Sequence, residues 1–177
     1  MSPKGLVSYL KSSETEISLA EAQRFHAAFF KLYGNYRPYH SRLWKRADRE
    51  FRENGEVLLK TLSGRVRRLT EDDMRYKSEQ DLSKKEPKKT VVYNTPVQSL
   101  ASDGLKQALV LLWPHLKALD ARPVNIVHDE IIIECRKDVA AEMSGILEDC
   151  MVRGVECYLK NVPIVVEAKI ADSWAEK

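Results

Sequence analysis

Apolar side chains recur at helical spacing, three or four residues apart, in four segments of the chain. Ser18 and Glu21 precede the first of these segments and form a capping box that starts a helix there. The run Asn94-Thr95-Pro96 is a second start signal, with a capping threonine and a proline in the first turn. The pattern predicts helices over residues 19–32, 38–53, 94–119 and 138–159.

Runs of β-branched residues indicate strands in three other places. The segments 56–69 and 124–135 each have a polar centre and are predicted to be hairpins, and residues 163–170 are predicted to be a final strand. Residues 70–90 are nearly all polar and rich in lysine, which predicts a mobile loop. The order of elements indicates an α+β fold, in which an antiparallel sheet of two hairpins and a C-terminal strand packs on helices.

The composition is typical of a globular protein, since 44% of the 177 residues are hydrophobic and 31% are charged. The apolar runs are shorter than the ~18 residues that cross a membrane, so we expect no membrane partner. The first residues lack the apolar segment of a secretory signal, and the three cysteines cannot all pair with one another. These features favour a cytoplasmic protein with reduced thiols.

The net charge of +3 conceals an uneven distribution. Residues 1–100 contain 20 Lys and Arg against 13 Asp and Glu, a net charge of +7, whereas residues 101–177 contain 9 against 13, a net charge of −4. A basic half suggests that a polyanion binds there, and an acidic half suggests another role for the carboxylates. Chance is the alternative explanation, and composition alone does not decide between them.

Two adjacent carboxylates, Asp129 and Glu130, lie between two strongly apolar strands. Charged groups beside such a surface are costly unless a cation or solvent compensates them. Hard oxygen ligands suit Mg²⁺, so one interpretation is a divalent-metal site of the kind used in phosphoryl transfer. A solvated turn explains the same residues, and His128 alone lacks the spacing of a zinc site. The residues by themselves leave both interpretations open.

Several longer stretches resemble the C-terminal end of family A DNA polymerases, the DNA polymerase I type. They are N-T-P-V-Q-S-L-A-S-D-G-L-K at 94–106, N-I-V-H-D-E at 125–130 and P-I-V-V-E-A-K-I-A-D-S-W at 163–174. The T-L-S-G-R at 61–65 is similar to the thumb-side hairpin of that family, T-x-x-G-R. The likeness runs along the whole chain, in order and with natural spacings, which makes it far more specific than any one motif.

This resemblance implies an organisation and a set of site residues. Residues 1–55 would be a helical segment derived from the fingers, and residues 56–177 the C-terminal part of the palm. The triplet His128-Asp129-Glu130 resembles motif C of the palm, which implies that Asp129 and Glu130 are catalytic and that Asp129 is a ligand of Mg²⁺. The residues implied to contact DNA are His128, Asn94, Gln98, Arg65, Arg67 and Arg68, the amides in the minor groove and the arginines at phosphates.

Two motifs of the family have no match in the 177 residues. One is D-Y-S-x-I-E, with the other catalytic aspartate, and the other is R-x-x-x-K-x-x-x-F-x-x-x-Y-G, which binds the nucleotide. M-S-x-x-G-L at 1–6 resembles the residues directly after the second motif, so the chain is expected to begin where that motif ends. Thr90 stands where the family commonly has an arginine, and the lysines of 84–89 are expected to replace part of its contact. One aspartate cannot hold two metal ions, so we expect no activity from the chain alone.

Two functions fit these expectations. In the first, the chain contributes motif C and primer-template contacts to a DNA polymerase of replication or repair, in a bacterial or phage-type cytoplasm near the nucleoid, and dNTP binds only with the missing half. In the second, it is a non-catalytic remnant that binds DNA or a protein partner. An unpaired sheet edge predicts a homodimer, or a complex with a polypeptide that carries the missing motifs. The residues that border this edge are Val124, Ile126, Ile131 and Ile133.

Overall fold

Helices alternate with short hairpins in the computed structural model, which describes residues 2–13, 15–78 and 81–176. The helices are α1 (Pro3–Ser12), α2 (Leu19–Leu32), α3 (Tyr36–Asn54), α4 (Lys89–Ala118) and α5 (Ala140–Glu156). The strands are β1 (Leu58–Lys60), β2 (Val66–Arg68), β3 (Met74–Ser78), β4 (Asp81–Pro87), β5 (Arg122–Val127) and β6 (Glu130–Glu134). The four predicted helices correspond to α2 to α5, and the ends of the last three differ from the prediction.

Over the described ranges the strands form three separate antiparallel hairpins, β1 with β2, β3 with β4, and β5 with β6. The hairpins predicted over 56–69 and 124–135 are therefore confirmed. The α+β class is also confirmed, but the hairpins do not join into one sheet. An isolated two-stranded hairpin is only marginally stable in water, so each of them depends on the helices beside it.

The long helix α4 contributes to two hydrophobic cores. The first core lies between the C-terminal half of α4, α5 and β6, and its buried residues are Ala108, Leu112, Leu116, Ile131, Met143 and Cys150. The second core lies between α3, the start of α4 and the β1–β2 hairpin, and its buried residues are Ala47, Val57, Leu69, Met74 and Val92. Because α3 shares this core with residues after 55, the core crosses the predicted division at residue 55, and that division stays a prediction.

Helices α4 and α5 approach each other closely at two glycines. A Cβ atom at Gly154 would lie 2.6 Å from the carbonyl oxygen of Gly104 and 2.6 Å from the backbone nitrogen of Ala108. A Cβ atom at Gly104 would lie 2.8 Å from a methyl carbon of Val155. Only hydrogen fits at these contacts, so the glycines set the distance between the two helices in the first core.

The segment predicted to be a mobile loop, residues 70–90, forms the β3–β4 hairpin in its described part, so that prediction is wrong. Arg75 donates from Nε to Glu86 at 2.9 Å, and Trp44 of α3 donates from Nε1 to the carbonyl of Pro87 at 3.2 Å. Glu86 is buried, with 5% of its surface exposed. The polar composition was misleading because this hairpin is not stabilised by a run of apolar residues. Ion pairs of its side chains and a hydrogen bond from a distant helix stabilise it instead.

Helix α4 begins at Lys89, so the predicted start at Asn94-Thr95-Pro96 is also wrong. Pro96 lies inside the helix, where it lacks the N–H that would bond to the carbonyl four residues earlier. The Thr95 hydroxyl donates to the carbonyl of Val91 at 2.8 Å, within the same stretch of helix. The buried side chain of Thr95 holds this turn in the protein interior, and so the helix continues through the proline.

Residues 163–170 do not form the predicted C-terminal strand. They have no ladder partner among the described strands, and the N–H of Ala168 instead donates to Glu148 Oε1 of α5 at 2.8 Å. Val165 and Ile170 expose 82% and 58% of their surface. A pattern of alternating apolar residues does not by itself provide a neighbouring strand. This segment lies beside helix α5, so it has no described strand with which to form a ladder. The predicted sheet of two hairpins and a C-terminal strand is corrected accordingly.

The predicted capping box is present at the start of α2. The Ser18 hydroxyl accepts from the N–H of Glu21 at 3.2 Å, and Glu21 Oε2 accepts from the N–H of Ser18 at 2.9 Å. Helices α1 and α2 pack on each other, and Ala22 is the one buried residue in their described parts. Nowhere in the described ranges is a helix both long and apolar enough to cross a membrane.

Candidate carboxylate turn and nucleic-acid interface

A tight turn between β5 and β6 presents the candidate carboxylates. Val127 and Glu130 form the last pair of the ladder, so His128 and Asp129 alone connect the strands. His128 has a φ of 54°, in the left-handed region that two-residue hairpin turns favour. Asp129 is exposed, whereas Ile131 on β6 is buried in the first core. The hairpin therefore holds Asp129 at an exposed tip, while its base is anchored against α4 and α5.

The carboxylates of this turn are not grouped with further metal ligands. In the part of the chain that the structure describes, no three His, Cys, Asp or Glu side chains are placed to hold an ion together. Mg²⁺ takes six oxygen ligands, of which a protein usually supplies one or two carboxylates beside substrate phosphates. The donor set of this chain alone, with Asp129 and Glu130 at one turn, does not fit a complete metal site.

An open groove of about 980 Å³ lies between the first turns of α3 and of α4. Asn94 and Gln98 of α4 both line it, so the structure brings together the two residues implied to reach the minor groove. They are four residues apart and therefore share one face of the helix. Each amide carries both donors and acceptors. This pair can accordingly bond to base edges without distinguishing one base pair from another.

Aromatic rings form the other side of the groove, and we call Tyr36, Tyr39, His40 and Tyr93 the aromatic wall. His40 stacks on Tyr93 with ring centroids 4.1 Å apart and planes 7° apart. Burial lowers the pKa of His40 and raises the pKa of Tyr93, so both rings are neutral at pH 7. Tyr36 contacts His40 edge to face at 5.5 Å and is 45% exposed. The sequence did not reveal this wall, because aromatic residues at helical spacing are typical of a core.

The three arginines implied to contact phosphates all lie in ion pairs around the β1–β2 hairpin. Their partners are Asp103 for Arg65, Asp73 for Arg67 and Glu56 for Arg68. The Arg68 side chain is 71% exposed, so its pairing is weak and leaves it able to reach a phosphate. The Arg65 side chain is 49% exposed, and the Asp103 carboxylate with which it pairs is 2% exposed.

Asp103 of α4 anchors the turn of the β1–β2 hairpin. Ser63 donates from its hydroxyl to Asp103 Oδ2 at 2.5 Å, and the Thr61 hydroxyl lies 2.8 Å from the Ser63 hydroxyl. Burial alone would raise the pKa of Asp103, but the hydrogen bonds from Ser63 and Thr61 and the charge of Arg65 outweigh it and lower the pKa. The carboxylate is therefore ionised at neutral pH and ties the hairpin to the helix that carries Asn94 and Gln98.

Helix α3 has an exposed face of cations, which we call the basic stripe: Arg42, Lys45, Arg46 and Arg49. None of the four has an ion-pair partner among the residues that the structure describes. By contrast, Arg52 at the end of the same helix pairs with Asp48 at 2.8 Å. Because Arg42 also lines the groove, the basic stripe is continuous with the aromatic wall.

The groove and the carboxylate turn lie at different places along α4. The groove uses Asn94 and Gln98, whereas the β5–β6 hairpin packs in the first core with Leu112. The 14 residues from Gln98 to Leu112 correspond to a rise of about 21 Å along a helix. His128, Asp129 and Glu130 are not part of the groove lining. The structure thus places the two parts of the candidate site along one continuous helix, α4.

The chain belongs to family A of the DNA polymerases, because the model of this family, DNA polymerase family A, matches residues 1–176. It is 36% identical over 179 residues to DNA polymerase I of Aquifex aeolicus, covering 99% of this chain and 28% of that protein. It is 31% identical over 170 residues to the thermostable DNA polymerase I of Thermus aquaticus, covering 96% of this chain and 19% of that protein. The chain therefore spans less than a third of these relatives.

The fold is similar to the POL domain of Pol1 from M. smegmatis, a structure solved in complex with a DNA primer-template and dNTP. The TM-score is 0.64 at 26% sequence identity, and the match covers 86% of this chain and 24% of that chain. The resemblance drawn from the sequence motifs is confirmed by this match and by the family match together.

Proposed function

We propose that the chain supplies the motif C carboxylates and part of the primer-template contact of a family A DNA polymerase, for template-dependent nucleotidyl transfer in replication or repair. The observation that carries this proposal is the family match over residues 1–176, with Asp129 at the exposed tip of a hairpin anchored in the core. Since the chain spans 28% of its Aquifex relative, the whole reaction is proposed for the chain together with a polypeptide that carries the other motifs. Such an enzyme is proposed to act near the nucleoid, in a bacterial or phage-type cytoplasm.

Asp129 is proposed to be a ligand of Mg²⁺ only when a second aspartate, from a D-Y-S-x-I-E segment, completes the site. Glu130 is proposed as the catalytic neighbour of Asp129. The need for a second aspartate is supported by the metal ligands that this chain offers, because the described residues provide too few of them for two ions. On this proposal the isolated chain has no polymerase activity and binds dNTP only in the complete assembly.

The groove is proposed to receive the minor-groove side of the primer-template duplex, with Asn94 and Gln98 bonded to acceptors that every base pair presents. His128, exposed at the carboxylate turn, is proposed to contact the same DNA. Arg65, Arg67 and Arg68 are proposed to contact phosphates, since all three side chains keep substantial exposure despite their ion pairs. The similar M. smegmatis domain holds a primer-template, which supports DNA as the partner.

The β5–β6 hairpin is proposed to bind a further strand. Val124 and Ile126 on β5 expose 51% and 45% of their surface, and β5 pairs with β6 alone among the described strands. A free edge with exposed apolar residues favours association. The added strand comes from a second copy of the chain or from the polypeptide with the missing motifs, and a homodimer would compete with catalysis for this edge.

A chimera tests the proposal. The matched segment of the Aquifex polymerase is replaced by this chain, and primer extension is measured. Extension that is lost on Asp129→Asn supports the proposal, whereas extension that survives Asp129→Asn contradicts it.

The second candidate is a non-catalytic remnant that binds DNA or a protein. A correctly folded chimera that binds primer-template but never extends the primer would establish this alternative in place of the first.

A further inference from the structure

We propose that Thr95 and Arg67 are positioning residues, which hold Asn94 and Gln98 in the orientation that lets their amides bond to base edges in the minor groove. The two side chains act through the backbone of α4 and need no contact with a base. This inference rests on the proposed binding of duplex DNA in the groove. It adds the reason why the two amides keep a fixed placement relative to each other.

A proline separates the two amides. Asn94 and Gln98 lie about one turn apart on α4, and Pro96 lies between them inside the helix. Proline has no N–H for the carbonyl four residues earlier, here that of Val92, and its ring crowds that carbonyl. Helices usually kink at such a position. The placement of one amide relative to the other therefore needs support from outside the local helix bonds.

Thr95 supplies this support from the buried side of the same turn. It is 2% exposed, whereas Asn94 and Gln98 are exposed. Its hydroxyl donates to the carbonyl of Val91 at 2.8 Å and accepts from Arg67 Nη1 at 3.3 Å. A hydroxyl can donate one hydrogen bond and accept others, so both bonds form together. The Thr95 hydroxyl thus joins the turn before Pro96 to the β1–β2 hairpin.

Arg67 is itself held at its other terminal nitrogen. Its Nη2 donates to Asp73 Oδ1 at 3.0 Å, and the Asp73 side chain is 14% exposed. The carbonyl of Asp73 accepts from the N–H of Lys88 at 2.9 Å, directly before α4 begins. The bonds that run from Asp73 through Arg67 to Thr95 therefore meet α4 at two points, its start and the turn that carries Asn94. This arrangement fixes the first turns of the helix against the hairpin.

Fluorescence anisotropy on the full chain tests the inference with two duplexes of alternating A·T and T·A pairs, one with adenine and the other with 3-deazaadenine. The analogue has a C–H in place of the N3 acceptor that adenine presents in the minor groove. The wild-type chain is expected to bind the adenine duplex about fivefold more tightly, which corresponds to one neutral hydrogen bond. Asn94→Ala with Gln98→Ala should abolish this adenine preference.

Thr95→Val keeps the shape of the side chain and removes the hydroxyl. It should reduce the adenine preference to about twofold or less, and Thr95→Ser should keep the preference because the hydroxyl is again present. Gly154→Ala is the control for lost stability, since it strains α4 at Gly104 and Ala108, outside the groove lining. This control should keep the preference. Circular dichroism shows whether each variant is folded.

Asp73→Ala distinguishes positioning from a phosphate contact made by Arg67. It removes the carboxylate that orients the guanidinium and takes no cation from the surface. Positioning predicts that the adenine preference falls while the salt slope stays unchanged. An arginine that serves only to contact phosphate would bind both duplexes at least as tightly in this variant and leave the preference complete, a result that overturns the inference.

The outcomes separate this inference from the proposed function. A preference that is abolished by Asn94→Ala with Gln98→Ala, but survives Thr95→Val or Asp73→Ala, overturns the inference and leaves the groove standing. Equal binding of the two duplexes by the wild-type chain contradicts the amide contacts and overturns both. A loss of preference in Gly154→Ala equal to that in Thr95→Val also overturns the inference, because lost stability would then explain the effect.

Discussion

Arg65 in the β1–β2 hairpin forms an ion pair with Asp103 of α4, whose side chain is 2% exposed. The same carboxylate accepts from the Ser63 hydroxyl. The hairpin and the helix are thus joined at the buried Asp103 carboxylate, which bonds to both Arg65 and Ser63 of the hairpin. The T-L-S-G-R motif accordingly fixes a surface hairpin to the helix that carries Asn94 and Gln98, and the contact of Arg65, Arg67 and Arg68 with DNA stays a prediction.

Asp103→Asn should lower the free energy of unfolding by about 2 kcal/mol at pH 7, because a buried carboxylate loses its charge-assisted bonds. The pKa of Asp103 is lowered in the folded chain. Its contribution is therefore complete above its ordinary pKa of 3.8 and lost as the pH falls below that value. Urea unfolding at pH 7 and near pH 3 should show a difference between wild type and variant that shrinks in acid.

The exposed pair of Arg136 and Asp138 provides the control for this measurement. Asp138→Asn should leave stability at pH 7 nearly unchanged, since exposed ion pairs contribute little. A loss at Asp138 equal to that at Asp103 would show that burial is not the source of the effect.

Gly154→Ala should destabilise the chain by about 1–3 kcal/mol, because the new methyl group would overlap the backbone of α4. Gly145 lies on the same helix, and a Cβ atom there would have nothing within 4 Å. Gly145→Ala should therefore stabilise α5 by about 0.5–1 kcal/mol, by the ordinary helix preference for alanine. Thermal unfolding of both variants measures the contrast, and equal effects at the two glycines would contradict the close helix contact.

The chain should bind duplex DNA weakly and without sequence preference, with an affinity that falls steeply as salt rises. Asn94→Ala with Gln98→Ala should weaken binding by a similar factor at every salt concentration, because amides release no counterions. Anisotropy titrations over a salt series measure both the affinity and the slope. Binding that is independent of salt would contradict the electrostatic interface.

The free edge of β5 should drive self-association in the absence of another polypeptide. Ile126→Lys should shift the chain toward monomer, since a charged residue on an edge strand opposes pairing. Val110→Lys is the matched control, because Val110 is a 65% exposed apolar residue that lies on α4 rather than on β5. Light scattering over a concentration series measures the mass. A wild-type chain that stays monomeric at high micromolar concentration would contradict an open edge.

The sequence correctly predicted those elements that are stabilised by interactions between residues close in the chain. Helix α2 matches its predicted range because the Ser18–Glu21 capping box and the apolar period agree. The β3–β4 hairpin could not be predicted, since its order depends on the pairing of Arg75 with Glu86 and on a bond from Trp44. Pro96 was misleading for a similar reason, because its helix is held by buried neighbours rather than by local preference.

The candidate site was predictable to a similar degree. The motifs identified the turn at Asp129 and the pair of amides, and the structure brings Asn94 and Gln98 into one groove. The ion pair of Arg65 with Asp103 could not be predicted, because the two residues are distant in the sequence. The aromatic wall depends on the packing of α3 against α4, and no local pattern encodes that contact.

The most direct test of the central claim compares primer extension by the isolated chain with extension by the Aquifex chimera, in one assay with Mg²⁺. We expect no extension by the isolated chain and template-directed extension by the chimera, lost on Asp129→Asn and retained on Glu134→Gln, a change of an exposed carboxylate on the same hairpin. Primer extension by the isolated chain that Asp129→Asn abolishes would contradict the claim that a second polypeptide completes the site.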